Sequence, residues 1–361
     1  MKRLVYYISG HGFGHARRSA EIIRALLQRN RHLIVDVRTS APRFIFESIS
    51  DSRLRCYEFA IDRGIVERDP LNPDVPATLA GFQALLDRSE ALIDGEVDFV
   101  RSKGASLLLA DVPFLAGEVA ARAGVPCIAV SNFTWDWILE PLAKSEADRE
   151  LLEGIRRSYA KMSGLVRLPF GHENPQFQRI VDVPLVANRS RLSREQALAR
   201  LELSSDGRSR ILIGMRGGVS MKALRRAASA NPRLLLVVPY DVESLRPGNI
   251  LPVRFQESGV SFADLVAVSD VVLSKLGYGI VADCIAARTR LLWPRRNDFR
   301  EDDLTASGSR AYIAHRELPA ADFHAGDWSE HLEALLAQPM PEDAPRLDGP
   351  EVAAKVIDEW G

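Results

Sequence analysis

The sequence predicts an α/β protein made of two Rossmann-like domains that face each other across a cleft. Three observations lead there. Apolar runs of strand length alternate with helical patterns almost throughout the 361 residues, which is the rhythm of parallel sheets covered on both faces. The rhythm breaks around Leu168 to Leu192 and then begins again. Each half opens with a strand that runs into a glycine-rich turn and a helix, the place where open α/β sheets bind ligands.

In the first half, residues 4–8, 33–37, 106–110 and 126–130 read as buried parallel strands. Helical patterns cover 16–27, 78–101 and 115–123, and Gly124-Val125-Pro126 stops the last of them. Pro169, Gly171, His172, Asn174, Pro175, Pro184 and Asn188 then read as loop. The second series has strands at 210–214, 234–238, 271–274 and 290–293, with helices at 220–230, 280–287 and 329–337. A final helix at 350–360 follows Pro339, Pro341 and Pro345. The expected division is a first Rossmann-like domain over 1–168, a linker over 169–190 and a second Rossmann-like domain over 191–340. The helical segment 341–361 is expected to pack back on the first domain.

Hydrophobic residues make up 46% and charged residues 26% of the chain, the profile of a globular protein. A net charge of −1 offers no basic field for nucleic acid. The pairs Arg17-Arg18, Arg225-Arg226 and Arg295-Arg296 read as solvated surface unless a phosphate site lies beside them. Cys56, Cys127 and Cys284 form no metal spacing and no disulfide framework, which points to a reducing cytoplasm. No apolar run approaches membrane-spanning length; peripheral membrane contact stays open.

The densest motif is Ser9-Gly10-His11-Gly12-Phe13-Gly14-His15, between the first strand and the first helix. Its glycines permit close backbone approach, the helix start favours an anion, and two histidines can exchange protons near neutral pH. The spacing lacks the final X-X-Gly of the dinucleotide fingerprint, so a Rossmann oxidoreductase is the weaker reading. Asp111 ends a strand ahead of Val112-Pro113 and reads either as a cleft carboxylate or as a helix N-cap. Asn132-Phe133-Thr134-Trp135-Asp136-Trp137 follows another strand and reads either as a sugar-stacking site or as a buried aromatic cluster. His32, His172, His315, His324 and His331 read as structural or surface residues.

The second half has loops of its own. Gly214-Met215-Arg216-Gly217-Gly218-Val219-Ser220 opens a helix whose N–H groups suit a diphosphate, and Arg216 adds a charge. Ser274-Lys275-Leu276-Gly277-Tyr278-Gly279 opens the helix that carries Asp283, an acid placed for ribose hydroxyls or simply for the helix start. A polar run from Trp293 to Asp303 follows the next strand.

These three elements, in this order, resemble the donor half of two-domain GT-B glycosyltransferases. The first glycine loop is similar to the Gly-Gly-His loop of the bacterial cell-wall N-acetylglucosaminyl transferases. It is closer still to the glycosyltransferase-like N-terminal region of plant L-arabinokinases. That resemblance runs through Tyr6-Tyr7-Ile8-Ser9-Gly10-His11-Gly12-Phe13-Gly14-His15-Ala16, Ser131-Asn132-Phe133-Thr134-Trp135-Asp136 and Ser274-Lys275-Leu276-Gly277-Tyr278-Gly279. It continues through Leu292-Trp293-Pro294-Arg295-Arg296 and Phe299-Arg300-Glu301.

The resemblance implies a metal-independent, inverting transfer of a hexosyl or pentosyl group from a nucleotide-diphospho-sugar, UDP-linked, to a small or lipid-linked acceptor, with no cofactor. His15 falls where that family places a histidine by the reacting hydroxyl; His11 is the other candidate base, with Asp111 or Asp136 as further ones. Arg216, Gly217, Gly218, Ser220, Lys275, Gly277, Tyr278 and Gly279 form the implied donor loops. Asp283 replaces a ribose-binding glutamate, Ile280 replaces a common Ser or Thr, and Glu301 matches an acid that meets the donor sugar. Gly12, Gly14, Asn132, Trp135 and Asp136 fall on the acceptor side. No Asp-X-Asp pair occurs, in keeping with metal independence, and no Gly-X-X-X-X-Gly-Lys-Ser/Thr loop occurs, so kinase activity is not expected. Two rivals keep the same fold: a nucleotide-sugar 2-epimerase, and a non-catalytic nucleotide-sugar-binding or regulatory protein.

Overall fold

The computed structural model describes residues 2–203, 206–215, 218–240, 248–254 and 258–360. The first half contributes strands β1 (Arg3–Ile8), β2 (Ile34–Thr39), β3 (Leu54–Glu58), β4 (Glu67–Asp69), β5 (Asn72–Pro73), β6 (Leu107–Asp111), β7 (Cys127–Ser131), β8 (Gly164–Arg167) and β9 (Ile180–Asp182). Seven of them form one sheet in the order β3-β2-β1-β6-β7-β8-β9, parallel throughout. Strands β4 and β5 make a separate antiparallel hairpin. The second half contributes β10 (Ser209–Ile213), β11 (Leu234–Val238), β12 (Ile250–Pro252), β13 (Val271–Leu273), β14 (Arg290–Pro294) and β15 (His315–Leu318). They form a parallel sheet in the order β12-β11-β10-β13-β14-β15.

Helices cover the sheets. They are α1 (Gly14–Arg29), α2 (Val75–Asp87), α3 (Ser89–Lys103), α4 (Leu115–Ala123), α5 (Trp135–Leu139), α6 (Glu146–Ala160) and α7 (Arg194–Arg200). They continue as α8 (Met221–Ala230), α9 (Phe262–Val268), α10 (Tyr278–Ala287), α11 (Glu301–Ser309), α12 (Ala320–Ala325), α13 (Ser329–Ala337) and α14 (Gly349–Trp360). Strand β1 shows why both faces need cover. Leu4, Tyr6 and Ile8 enter one core while Val5 and Tyr7 enter the other, as the two-residue period of a strand requires.

The helical pattern read over 78–101 is two helices, broken at Arg88 without a proline or glycine. Asp74 caps the first by accepting from the Ala77 N–H. Gly104, at φ 61°, ends the second in a conformation that glycine adopts without strain. Helix α6 begins with a capping box between Ser145 and Asp148, a signal legible in the sequence. The segment read as a linker, 169–190, carries the edge strand β9. Helix α14 packs on α1, with Asp358 3.4 Å from Arg29.

In each sheet the strand order reverses beside the first strand, between β1 and β6 and between β10 and β13. The carboxyl ends at such a reversal open a crevice that binds ligands. Both glycine loops therefore sit at reversal points, and they meet. A Cβ added to Gly279, at the start of α10, would lie 3.5 Å from Cα of Gly14, at the start of α1.

Candidate active site

Three side chains define the first-half side of the crevice. His15 sits in the first turn of α1 and is 7% exposed; Asp111 ends β6 and is fully buried. His15 Nδ1 lies 2.8 Å from Asp111 Oδ1. A carboxylate partner fixes the proton on Nδ1 and leaves Nε2 as the basic nitrogen. Asp111 is not a helix cap. Besides His15 it accepts from Arg18 Nε at 2.8 Å, Arg18 Nη2 at 2.5 Å and Ser19 Oγ at 2.9 Å. Burial would raise this carboxyl, but the charges and hydrogen bonds of Arg18 and His15 hold it well below the usual carboxylate range.

Arg18 was read as surface and is instead 3% exposed. It lies three residues beyond His15 and so shares its helix face. Its Nη1 donates to Asn132 Oδ1 at 2.7 Å. Asn132 Nδ2 donates in turn to Glu301 Oε1 of the second half at 2.9 Å. Glu301 stands beside Arg296, which is ion-paired with Asp302. A buried polar chain thus joins the histidine–carboxylate pair to the acid expected at the donor sugar, across the crevice.

The expected donor loops line the facing edge. Gly218 leaves little room, since a Cβ there would meet Met215 Cε at 3.0 Å and Pro70 Cγ at 3.3 Å. Ser220 caps α8 by accepting from the Ala223 N–H at 3.1 Å. Gly277 caps α10 with a φ of −105°. Lys275 pairs with Glu67 of β4 at 2.7 Å. Arg216 and Gly217 lie outside the described residues. Two residues of this set are turned to structural work. Tyr278 is buried and its hydroxyl accepts from the Val186 N–H at 2.9 Å. Asp283 is 2% exposed; it accepts from the Asn188 N–H at 2.8 Å and pairs with Arg17 at 3.1 Å. Burial pushes its carboxyl upward, opposed by Arg17 and the Asn188 hydrogen bonds. Its carboxylate is engaged within the chain, by Arg17 because α1 packs directly on α10 and by Asn188 from the segment after β9.

On the acceptor side, Gly12 adopts φ 71° and Gly14 begins α1, both exposed. His11 is half-buried. Burial, then the charges of His15, Lys275 and Arg296, press it down to about 4, so it is neutral at pH 7. Trp135 is fully buried in an aromatic cluster with Phe82 and Phe133. Asp136 is 5% exposed and pairs with Arg156 at 3.2 Å.

Asp62 is a site residue that no sequence pattern marked. It lies in the loop between β3 and β4 and accepts from Trp135 Nε1 at 3.3 Å. Burial pushes its carboxyl up to about 6, against an ordinary 3.8, despite the Ser9 and Trp135 hydrogen bonds and the His15 charge. The folded chain therefore holds this proton where the unfolded chain has lost it. Its contribution to stability falls as pH rises from about 4 to about 6 and is flat above. Asp62→Asn is expected to flatten the fall in thermal midpoint across that window relative to the parent; an unchanged slope counts against the assignment.

No protein-family model matches the chain. It is 30% identical over 360 residues to L-arabinokinase of Arabidopsis thaliana, a match covering 98% of this chain and 34% of the relative. The chain thus spans about a third of the length of that relative. The glycotransferase of kitacinnamycin superposes with a TM-score of 0.68 at 12% identity, covering 100% of this chain and 99% of that one. CalG4, the calicheamicin glycosyltransferase, does so at 0.63 and 13% identity, covering 99% and 94%. Arabidopsis thaliana UGT89C1 complexed with UDP-L-rhamnose does so at 0.59 and 16% identity, covering 99% and 94%. The architecture of this chain is the GT-B glycosyltransferase fold.

Proposed function

We propose that this chain is a glycosyltransferase that moves a sugar from a nucleotide-diphospho-sugar to a hydroxyl acceptor, with His15 as general base. One observation carries the reading. The His15–Asp111 pair sits at the reversal point of the first sheet, and the glycine loops of the second sheet's reversal point face it. In the proposed step, His15 Nε2 takes the proton of the acceptor hydroxyl as that oxygen bonds to the anomeric carbon. The bond from the anomeric carbon to the diphosphate breaks, and its electron pair leaves with the nucleoside diphosphate. The N-termini of α8 and α10 stabilise that developing negative charge. A single displacement of this kind inverts the anomeric centre and needs no metal.

The likeness to L-arabinokinase supports a sugar substrate, and the UDP-L-rhamnose complex of UGT89C1 supports a UDP-linked donor. The engaged Asp283 carboxylate favours a second reading, in which a nucleotide-sugar is bound weakly for a regulatory purpose. Calorimetry and thermal shift against a panel of nucleotides and nucleotide-sugars test the donor site. UDP or a UDP-sugar is expected to stabilise the parent and to lose that effect with Gly218→Trp, whose side chain overfills the space beside Met215 and Pro70. A folded protein that responds to no nucleotide overturns both readings. Binding without turnover of any acceptor selects the second.

A further inference from the structure

The hairpin of β4 and β5 leaves the first half and docks on the second. Leu71 at its tip is 1% exposed, packed with Met215, Val219 and Leu292 in the core of the second half. The Asn297 N–H donates to Leu71 O at 2.8 Å, and Asn297 Nδ2 donates to Asn72 Oδ1 at 2.6 Å. Asp69 fixes the turn by accepting from the Leu71 and Asn72 N–H groups. Glu67, at the base of this anchored hairpin, is therefore held in place. Both its oxygens take Lys275 Nζ, at 2.7 and 2.9 Å.

The pair lies near the meeting point of the two halves. Lys275 is among the cations acting on His11, and Glu67 is among the carboxylates acting on Arg296. That is the space between the histidine loop and the second-half loops, where the transferase reading puts the sugar in transit rather than its base. The side chains of Glu67 and Lys275 remain 36% and 29% exposed, so a ligand can reach them. The neighbouring cations are matched as well, Arg18 by Asp111 and Arg296 by Asp302. A neutral sugar brings only hydroxyls and disturbs none of these pairs. An acidic sugar brings a carboxylate that must take Lys275 from Glu67 and then lie beside Glu67 and Glu301. Like charges brought together in this way reject a ligand more effectively than a missing contact does.

Resting on the transferase reading, we propose that Glu67 is a specificity-determining residue. It is a carboxylate supplied across the crevice that cancels Lys275 and makes the donor site select a neutral sugar over an acidic one. The test is calorimetry of the full chain with UDP, UDP-glucose and UDP-glucuronate, on the parent, Glu67→Gln and Glu67→Gln/Lys275→Met. The parent is expected to favour UDP-glucose over UDP-glucuronate by about tenfold or more. Glu67→Gln frees Lys275 and is expected to raise UDP-glucuronate affinity about tenfold, leaving UDP and UDP-glucose within about threefold. Adding Lys275→Met is expected to cancel the gain. An unchanged preference, or an equal change for all three ligands from a loosened hairpin, overturns the assignment while the donor site stands. Absence of binding of all three to folded protein overturns the transferase reading and this assignment with it.

Discussion

His15→Ala is expected to lower glycosyl transfer by about a thousandfold while nucleotide affinity stays within about threefold. The imidazole belongs to the first half, at the start of α1, whereas the proposed phosphate contacts belong to the second. Removing the ring takes away the proton acceptor and leaves the donor loops untouched. His11 lies four residues earlier on the same loop and provides the control. Pressed down to about 4 by burial and neighbouring cations, it is a weak base, and no carboxylate bonds its ring to take up a positive charge in the described contacts. His11→Ala is therefore expected to cost no more than about tenfold, chiefly through packing against Trp135. Initial rates with an acceptor found by screening, read beside calorimetric donor affinity, check both. Retention of a tenth of the activity by His15→Ala, or a larger loss from His11→Ala, assigns the base elsewhere.

The fold was legible because its signals are local. Apolar runs such as the one around β1, a glycine turn behind it and the Gly124 stop before β7 each act within a few residues. The strands read from such runs are present, whereas the short or less apolar β3, β4, β5, β8, β9, β12 and β15 carried no such signal. The site was legible only where it follows from strand ends. His15 and Asp111 are 96 residues apart, yet both flank carboxyl ends of adjacent strands, so the parallel register of β1 and β6 brings them together. What depends on the packing of one half on the other left no pattern. Asp283 has the spacing of a ribose ligand but is consumed by Arg17, a contact made only when α1 lies on α10, and by Asn188 of the segment between β9 and α7. Arg18 counted as one of a surface pair because charge alone predicts solvent. Its burial needs Asp111, Ser131 and Asn132, all more than ninety positions away. Asp62 lies in an irregular loop and Glu67 in a three-residue strand too short to show a period.

Arg18→Met should be the most destabilising single change in the crevice, by about 3–5 kcal/mol in urea denaturation. The methionine replaces the volume of the stem but none of the donors. Asp111 would then be fully buried with only His15 and Ser19 left to face it, and an uncompensated buried charge carries most of that penalty. Arg18→Lys keeps the charge without the fork that spans both carboxylate oxygens, so a smaller loss is expected. The informative variant is the double one. Removing both charges with Arg18→Met and Asp111→Leu leaves no orphaned ion, and much of the stability should return, since buried ion pairs replaced whole by apolar groups are often nearly neutral. Activity should not return with it. Without Asp111 the His15 ring loses the partner that holds its tautomer, and without Arg18 the Asn132 link to Glu301 loses its anchor. A double variant that folds well and transfers nothing would place the value of this ion pair in chemistry rather than in stability. A single Arg18→Met variant that loses less than about 1 kcal/mol would mean that His15 and Ser19 alone compensate the buried carboxylate, and would overturn the penalty assigned to the lost ion pair.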